Sequence, residues 1–134
     1  MHNFAHTLRV YVEDTDAGGI VYYANYLKYM ERGRTEYFRY LGYSKPALFE
    51  GLQFVVRDIS VRYFKPATLD DEIQVSALLT RVTRVTFEMR QDVVRDGQLL
   101  AQGTVKAACI DELSKRPRAM PKPMLATLQQ QLST

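Results

Sequence analysis

Cysteine and histidine are both nearly missing from this chain. Among 134 residues there is one cysteine, Cys109, and there are two histidines, His2 and His6. A lone cysteine excludes an intrachain disulfide and fits a reducing compartment, so the cytoplasm is the expected location. With Ala107, Ala108 and Ile110 around it, Cys109 reads as an inert buried thiol rather than a nucleophile. His2 and His6 stand at i,i+4 spacing, but two ligands in an N-terminal arm are too few for a metal, and none is expected. No serine sits in a Gly-x-Ser-x-Gly elbow, and no phosphate-binding glycine loop, dinucleotide fingerprint or zinc-ligand cluster is present. Apolar runs are far shorter than a bilayer span, so no integral membrane protein is expected. The opening Met1-His-Asn-Phe-Ala-His has no basic segment leading into an apolar stretch, which argues against a signal peptide. Histidine-dependent dehydratases and serine hydrolases would lack their parts.

Carboxylates and basic residues remain. The net charge is +3, a mild excess, but the cations are unevenly spread. Arg81, Arg84, Arg90 and Arg95 fall in one stretch, and Lys115, Arg116, Arg118 and Lys122 gather near the C-terminus. Such groups can hold the phosphates of a nucleotide-containing cofactor or of nucleic acid, or can simply keep a surface solvated. Nucleic-acid binding has no matching motif here, because the aromatic residues fall mainly on a helix stripe.

The segment most like a site runs Val10-Tyr-Val-Glu-Asp14-Thr-Asp16-Ala-Gly-Gly19-Ile-Val-Tyr-Tyr23-Ala-Asn-Tyr26. An acidic cluster closes a strand-like stretch, two glycines follow, and a helix pattern begins. Gly18 and Gly19 let the backbone turn sharply and approach a ligand. The helix start supplies unpaired N–H groups and the positive end of a dipole. A carboxylate aimed there can attack, or direct water at, a carbonyl whose oxyanion those N–H groups stabilise. Acidic residues and glycine also make ordinary turns and caps, and spacing alone leaves both readings open.

Strand periodicity covers Leu8, Val10 and Val12. From Asn25 to Leu41 the period changes, with Tyr26, Met30, Gly33, Tyr37 and Leu41 forming a broad apolar helix stripe. Asn25 is the expected N-cap and Gly42 the C′ terminator. Arg32–Glu36 and Glu31–Arg34 are the expected ion pairs on its polar face. Ser44-Lys-Pro46 predicts a short helix ending by Gly51. Alternation then predicts strands over Val56–Tyr63, Ile73–Leu79, Val85–Val93 and Leu99–Cys109, with Asp96-Gly97 as a hairpin turn. A short helix around Leu125, Leu128 and Leu132 ends the chain. The order β-α-β-β-β-β, without linker or repeat, predicts a single α+β domain over residues 1–134. Its strand edges predict pairing with another copy.

The segment from Val10 to Tyr26, followed by Glu31-Arg-Gly-Arg-Thr-Glu36, closely resembles the hotdog-fold acyl-CoA thioesterases. The similarity is strongest to the 4-hydroxybenzoyl-CoA thioesterase-like group and its bacterial branch linked to the Tol-Pal envelope system. It runs on through Lys65-Pro66, Asp70-Asp71-Glu72 and Arg116-Pro-Arg-Ala-Met-Pro121. The resemblance implies an antiparallel sheet wrapped around one long helix, dimerising into a continuous sheet and often forming tetramers. It implies an acyl-CoA substrate and no metal or redox cofactor. The family's catalytic aspartate falls on Asp16, and its oxyanion donor on the backbone N–H of Tyr23, which moves the expected helix start toward Tyr23. The Tol-Pal branch has His at the position of Tyr23, and a phenol is a poor substitute for imidazole at neutral pH. The backbone role survives any side chain except proline. Gly19 is expected to let substrate approach, with Arg81, Arg84, Lys115 and Arg116 as candidates for the coenzyme phosphates. A non-catalytic acyl-CoA or acyl-carrier-protein binding module in envelope lipid metabolism is the alternative. Within the cytoplasm, a position peripheral to the inner membrane is also open.

Overall fold

The computed structural model describes residues 4–44 and 48–132. Seven strands and two helices follow the order β1 (Ala5–Arg9), α1 (Asn25–Tyr40), β2 (Leu48–Phe49), β3 (Leu52–Tyr63), β4 (Glu72–Ser76), β5 (Leu78–Val82), β6 (Thr86–Arg95), β7 (Gln98–Asp111) and α2 (Lys122–Leu132). The strands form one antiparallel sheet in the order β1-β4-β6-β7-β3-β2, with β5 pairing β6 beyond the end of β4. The α+β class expected from the sequence is the one observed.

Helix α1 is the spine of the core. Tyr26, Tyr29 and Met30 pack with Ile73, Val75, Val93 and Leu100 in one cluster. One to two turns on, Tyr37 and Phe38 pack with Leu79, Phe87, Met89 and Cys109, and Met124 and Leu128 of α2 close the far side. Cys109 is fully buried, and the desolvation of its thiolate pushes its pKa up to about 12. The helix comes close to the sheet because Gly33 faces Val75 and Gln91.

Several local expectations hold for the stated reasons. Asp96 and Gly97 both take positive φ, 51° and 76°, as the two-residue β6–β7 hairpin requires. Gly42 has φ 112°, and the bonds Gly42 N–H to Arg39 C=O and Tyr43 N–H to Phe38 C=O make a Schellman ending to α1.

Others are corrected. The first strand stops at Arg9; Val12–Asp14 turn into a 3-10 helix and Val12 is exposed. Asn25 is the first residue of α1 rather than its cap, a position held by Ala24 with no side-chain bond. The helix expected up to Gly51 gives way to β2 and a hairpin in which Glu50 and Gly51 take φ 50° and 78°; residues 45–47 of that expectation lie outside the described residues. The strand expected over Ile73–Leu79 is broken at Ala77, where Ser76 Oγ accepts Asp92 N–H at 2.9 Å in place of a ladder bond. Neither expected helix ion pair forms: Arg39 pairs with Glu36, Glu31 accepts from Thr35 Oγ1 at 2.7 Å, and Arg34 reaches inward to Gln91 Oε1 at 3.0 Å.

Strand β3 pairs with β7 along its length. On its other side, among the described residues, only Leu52 and Gln53 are paired, with β2. The remaining edge carries Val56, Ile59 and Tyr63, all substantially exposed.

Candidate active site

The loop between β1 and α1 is built as a narrow turn. A bridge joins Thr15 to Val21, and Asp16 N–H donates to Ile20 C=O at 2.9 Å. Gly18 N–H donates back to Asp16 Oδ1 at 2.8 Å, an Asx-type bond that fixes one carboxylate oxygen. Gly19 takes φ 79°, in the left-handed region that favours glycine. The turn is docked to the sheet by the Ile20–Thr68 bridge and by Val21 N–H to Ala67 C=O at 2.8 Å. Asp16 is exposed, and its Oδ2 has no hydrogen-bond partner among the described residues.

On the returning arm, Tyr22 N–H is used by Asp14 C=O, whereas the N–H groups of Tyr23 and Ala24 donate to nothing among the described residues. These are the free donors of the α1 N-terminus. Tyr63 Oη donates to Tyr23 C=O at 2.9 Å and so ties this peptide to the end of β3. Beside it lies a largely apolar cleft of about 270 Å³ lined by residues including Ile20, Tyr23, Tyr26, Tyr63, Phe64 and Lys65. The structure thus brings Asp16, Gly19 and Tyr23 onto the two arms of one turn.

It does not bring the basic candidates to them. Arg81 lies on β5 facing Glu88 at 3.9 Å. Arg84 occupies the β5–β6 turn, where its C=O accepts Met120 N–H, and Lys115 Nζ donates to Gln53 Oε1 at 3.2 Å. Arg116 shares the Lys115 loop, its C=O accepting Asp111 N–H. The contacts of Arg84, Lys115 and Arg116 cluster where β3 begins and β7 ends and Arg81 stands level with the middle of β3, whereas Tyr63 and the Asp16 turn sit where β3 finishes. Twelve strand residues separate the two ends, a span of roughly 35 Å. Two other cations of the basic stretches are structural: Arg95 pairs with Asp71 at 2.6 Å and Arg118 with Asp111 at 3.6 Å.

A bond that the sequence pattern does not predict joins Asp14 to Asn25. Asp14, buried at 6% exposure, accepts Tyr11 N–H and the Asn25 amide, each at 2.9 Å. Burial alone would raise this carboxyl, but the bonds from Tyr11 and Asn25, the neighbouring Tyr29 hydroxyl and the charge of Arg32 outweigh it and hold its pKa below the ordinary value. The signal available was an acidic residue at a strand end followed eleven positions later by an apparent cap. No group of three His, Cys, Asp or Glu side chains among the described residues could hold a metal, and no helix is long and apolar enough to cross a membrane.

Comparison with known proteins shows the family of the chain. Residues 10–128 match the thioesterase-like superfamily. The acyl-CoA thioester hydrolase YbgC of Escherichia coli O6:H1 is 40% identical over 129 residues, covering 95% of this chain and 96% of that protein. The acyl-CoA thioesterase YbgC of Haemophilus influenzae is 41% identical over 127 residues, covering 93% of each. The crystal structure of a probable thioesterase from Bartonella henselae superposes with a TM-score of 0.84 at 34% identity, covering 90% of this chain and all of that one. The antiparallel sheet around one helix is the hotdog fold of these proteins, and the chain belongs to the thioesterase-like superfamily.

Proposed function

We propose that this chain is an acyl-CoA thioesterase, one domain over residues 1–134, that converts an acyl-CoA and water to a carboxylic acid and free coenzyme A. The observation that carries the reading is the turn itself: an exposed carboxylate, Asp16, on one arm and, on the other, the main-chain N–H of Tyr23, which has no acceptor among the described residues. In this mechanism Asp16 either attacks the thioester carbon, forming a mixed anhydride that water then opens, or takes a proton from the attacking water. The carbonyl oxygen becomes an oxyanion, which the Tyr23 N–H stabilises, and it re-forms the carbonyl as the C–S bond breaks. The coenzyme leaves as thiolate and is protonated by solvent. A thiolate is a good leaving group, so neither His nor Ser is required. The Tyr23 phenol has no assigned step.

The unpaired edge of β3 supports a homodimer or a tetramer built from one. Two copies pairing antiparallel through β3 would set the Lys115 end of one chain beside the Tyr63 end of its partner. Sedimentation at micromolar concentration is expected to give a dimer or larger, and a lone 15.5 kDa species would reject this assembly. In such a dimer Arg81, Arg84, Lys115 and Arg116 serve the partner's site, holding the coenzyme phosphates away from the reacting carbon. The expected subcellular location is the cytoplasm, and acyl carrier protein is a further candidate partner.

Release of free thiol from a panel of acyl-CoAs tests the activity. Binding without release would identify a non-catalytic acyl-CoA module instead. Neutralising Arg84 and Arg116 together is expected to raise KM for acyl-CoA while sparing kcat, because the phosphates are remote from the chemistry. The effect should weaken with salt and vanish for a pantetheine thioester without the nucleotide. Equal losses on both substrates would show that these residues support the fold.

A further inference from the structure

The turn holds a second carboxylate, Asp14, for which the proposed chemistry has no use. We infer that Asp14 and Asn25 form a positioning pair, pinning the first residue of α1 to the segment that carries Asp16 and so setting where the Tyr23 N–H stands relative to the Asp16 carboxylate. This rests on the thioesterase reading of Asp16 and Tyr23.

Three observations converge. Helix α1 begins without a local cap, since Ala24 at the N-cap position offers no side-chain acceptor. Its first residue instead uses its own amide, Asn25 Nδ2 donating to Asp14 Oδ1 at 2.9 Å across eleven positions. Both side chains are buried, Asp14 at 6% and Asn25 at 9% exposure, so neither bond has water as a ready substitute. Asp14 is held in turn from the opposite direction: its Oδ2 accepts Tyr11 N–H at 2.9 Å, and its C=O accepts Tyr22 N–H at 3.1 Å. One residue thus touches the segment that follows β1, the returning arm and the helix start, and everything between its attachments is the Asp16–Tyr23 turn. A buried anion at a helix N-terminus is also favoured by the helix dipole. The buried Tyr29 hydroxyl lies beside both side chains without a hydrogen bond of its own. Asp14 touches no reacting group and is a positioning residue, not a catalytic one.

A partner exchange separates positioning from bulk stability. Asn25→Asp sets two carboxylates face to face and removes the only N–H between the two positions. Combining it with Asp14→Asn moves the amide to the other side, restoring one N–H···O contact and leaving an amide oxygen for Tyr11. Asn25→Asp is expected to lower kcat per folded site roughly 10- to 10²-fold, the scale of about 1 Å of misplacement. KM should change far less, and the double exchange should recover most of kcat. Full kcat in Asn25→Asp, or a double exchange as slow as the single variant, would overturn the proposal. If Asn25→Asp does not fold, Asn25→Ala leaves Asp14 its Tyr11 bond and carries the test. An expected loss of about tenfold there supports the pair, and unchanged kcat overturns it. Amide exchange judges the pair without turnover. If Asp16→Asn kept wild-type activity, the role of Asp16 would fall, yet faster exchange in Asn25→Ala of the bonded N–H groups of Tyr22 and residue 25 would still support the clamp, and unchanged exchange there would refute it.

Discussion

Replacing Asp16 by Asn is expected to slow thioester hydrolysis at least roughly 10²-fold, the low end for loss of a catalytic acid–base group, while leaving the protein folded. Carboxylate and amide have nearly the same shape. The bond that shapes the turn, Gly18 N–H to Asp16 Oδ1 at 2.8 Å, needs only an acceptor oxygen, which Asn also offers. Asp16 is exposed and makes no ion pair among the described residues, so no buried partner is orphaned by the change. What disappears is the negative charge and the lone pair that attacks the carbonyl or deprotonates water. The loss should therefore appear in kcat, with thermal unfolding within about a degree or two of the wild type, as for surface substitutions generally. Thiol release from saturating acyl-CoA, alongside a melting curve, reads both. Turnover near the wild-type rate would remove Asp16 from the mechanism.

The second large effect is on stability. Gly33→Val is expected to cost about 1–3 kcal/mol through overpacking, lowering Tm by several degrees. A Cβ at position 33 would stand 2.8 Å from Val75 Cγ1 and 3.0 Å from Gln91 Nε2, inside van der Waals contact. Val75 is fully buried on β4 and has little room to retreat. Gln91 is also fully buried, its amide donating to Met30 C=O at 2.9 Å and its carbonyl accepting from Arg34. Displacing it breaks bonds that tie α1 to the sheet. Helix propensity runs the other way, since valine is a better helix residue than glycine, but by only a few tenths of a kcal/mol. The steric term wins. A melt at or above the wild-type Tm would mean that the helix lifts off the sheet at little cost.

How much of this was legible in the sequence depended on whether the signal was local. Asp96-Gly97 specifies its turn by itself, and Gly42 its helix ending, because each needs a positive φ that few other residues supply. The apolar stripe of α1 was readable because burial follows helix period. Asn25 was misread as a cap because its true partner, Asp14, is reached only once the turn has closed. The Glu31–Arg34 pair failed for a similar reason: Gln91, 57 positions from Arg34, competes for the guanidinium. The split between β4 and β5 likewise depends on Ser76 meeting Asp92 across the sheet. Within the candidate site, the family resemblance nominates Asp16 and Tyr23 and the glycine pair nominates Gly19, and the structure has all three on one turn. Where the basic residues stand relative to them is a matter of which end of β3 each element packs against, and strand alternation carries no such information.

The single cysteine also shapes how the protein can be measured. Colorimetric thiol reagents react with thiolate, and the folded chain keeps Cys109 inaccessible, with its titration pushed up to about 12. Added to native protein and acyl-CoA, such a reagent counts released coenzyme against an almost silent background. Added to the same protein in rising denaturant, it counts one equivalent per chain as the sheet opens. One dye thus serves as both a turnover meter and a built-in unfolding probe, and a variant's catalytic loss can be corrected for its unfolded fraction in the same cuvette.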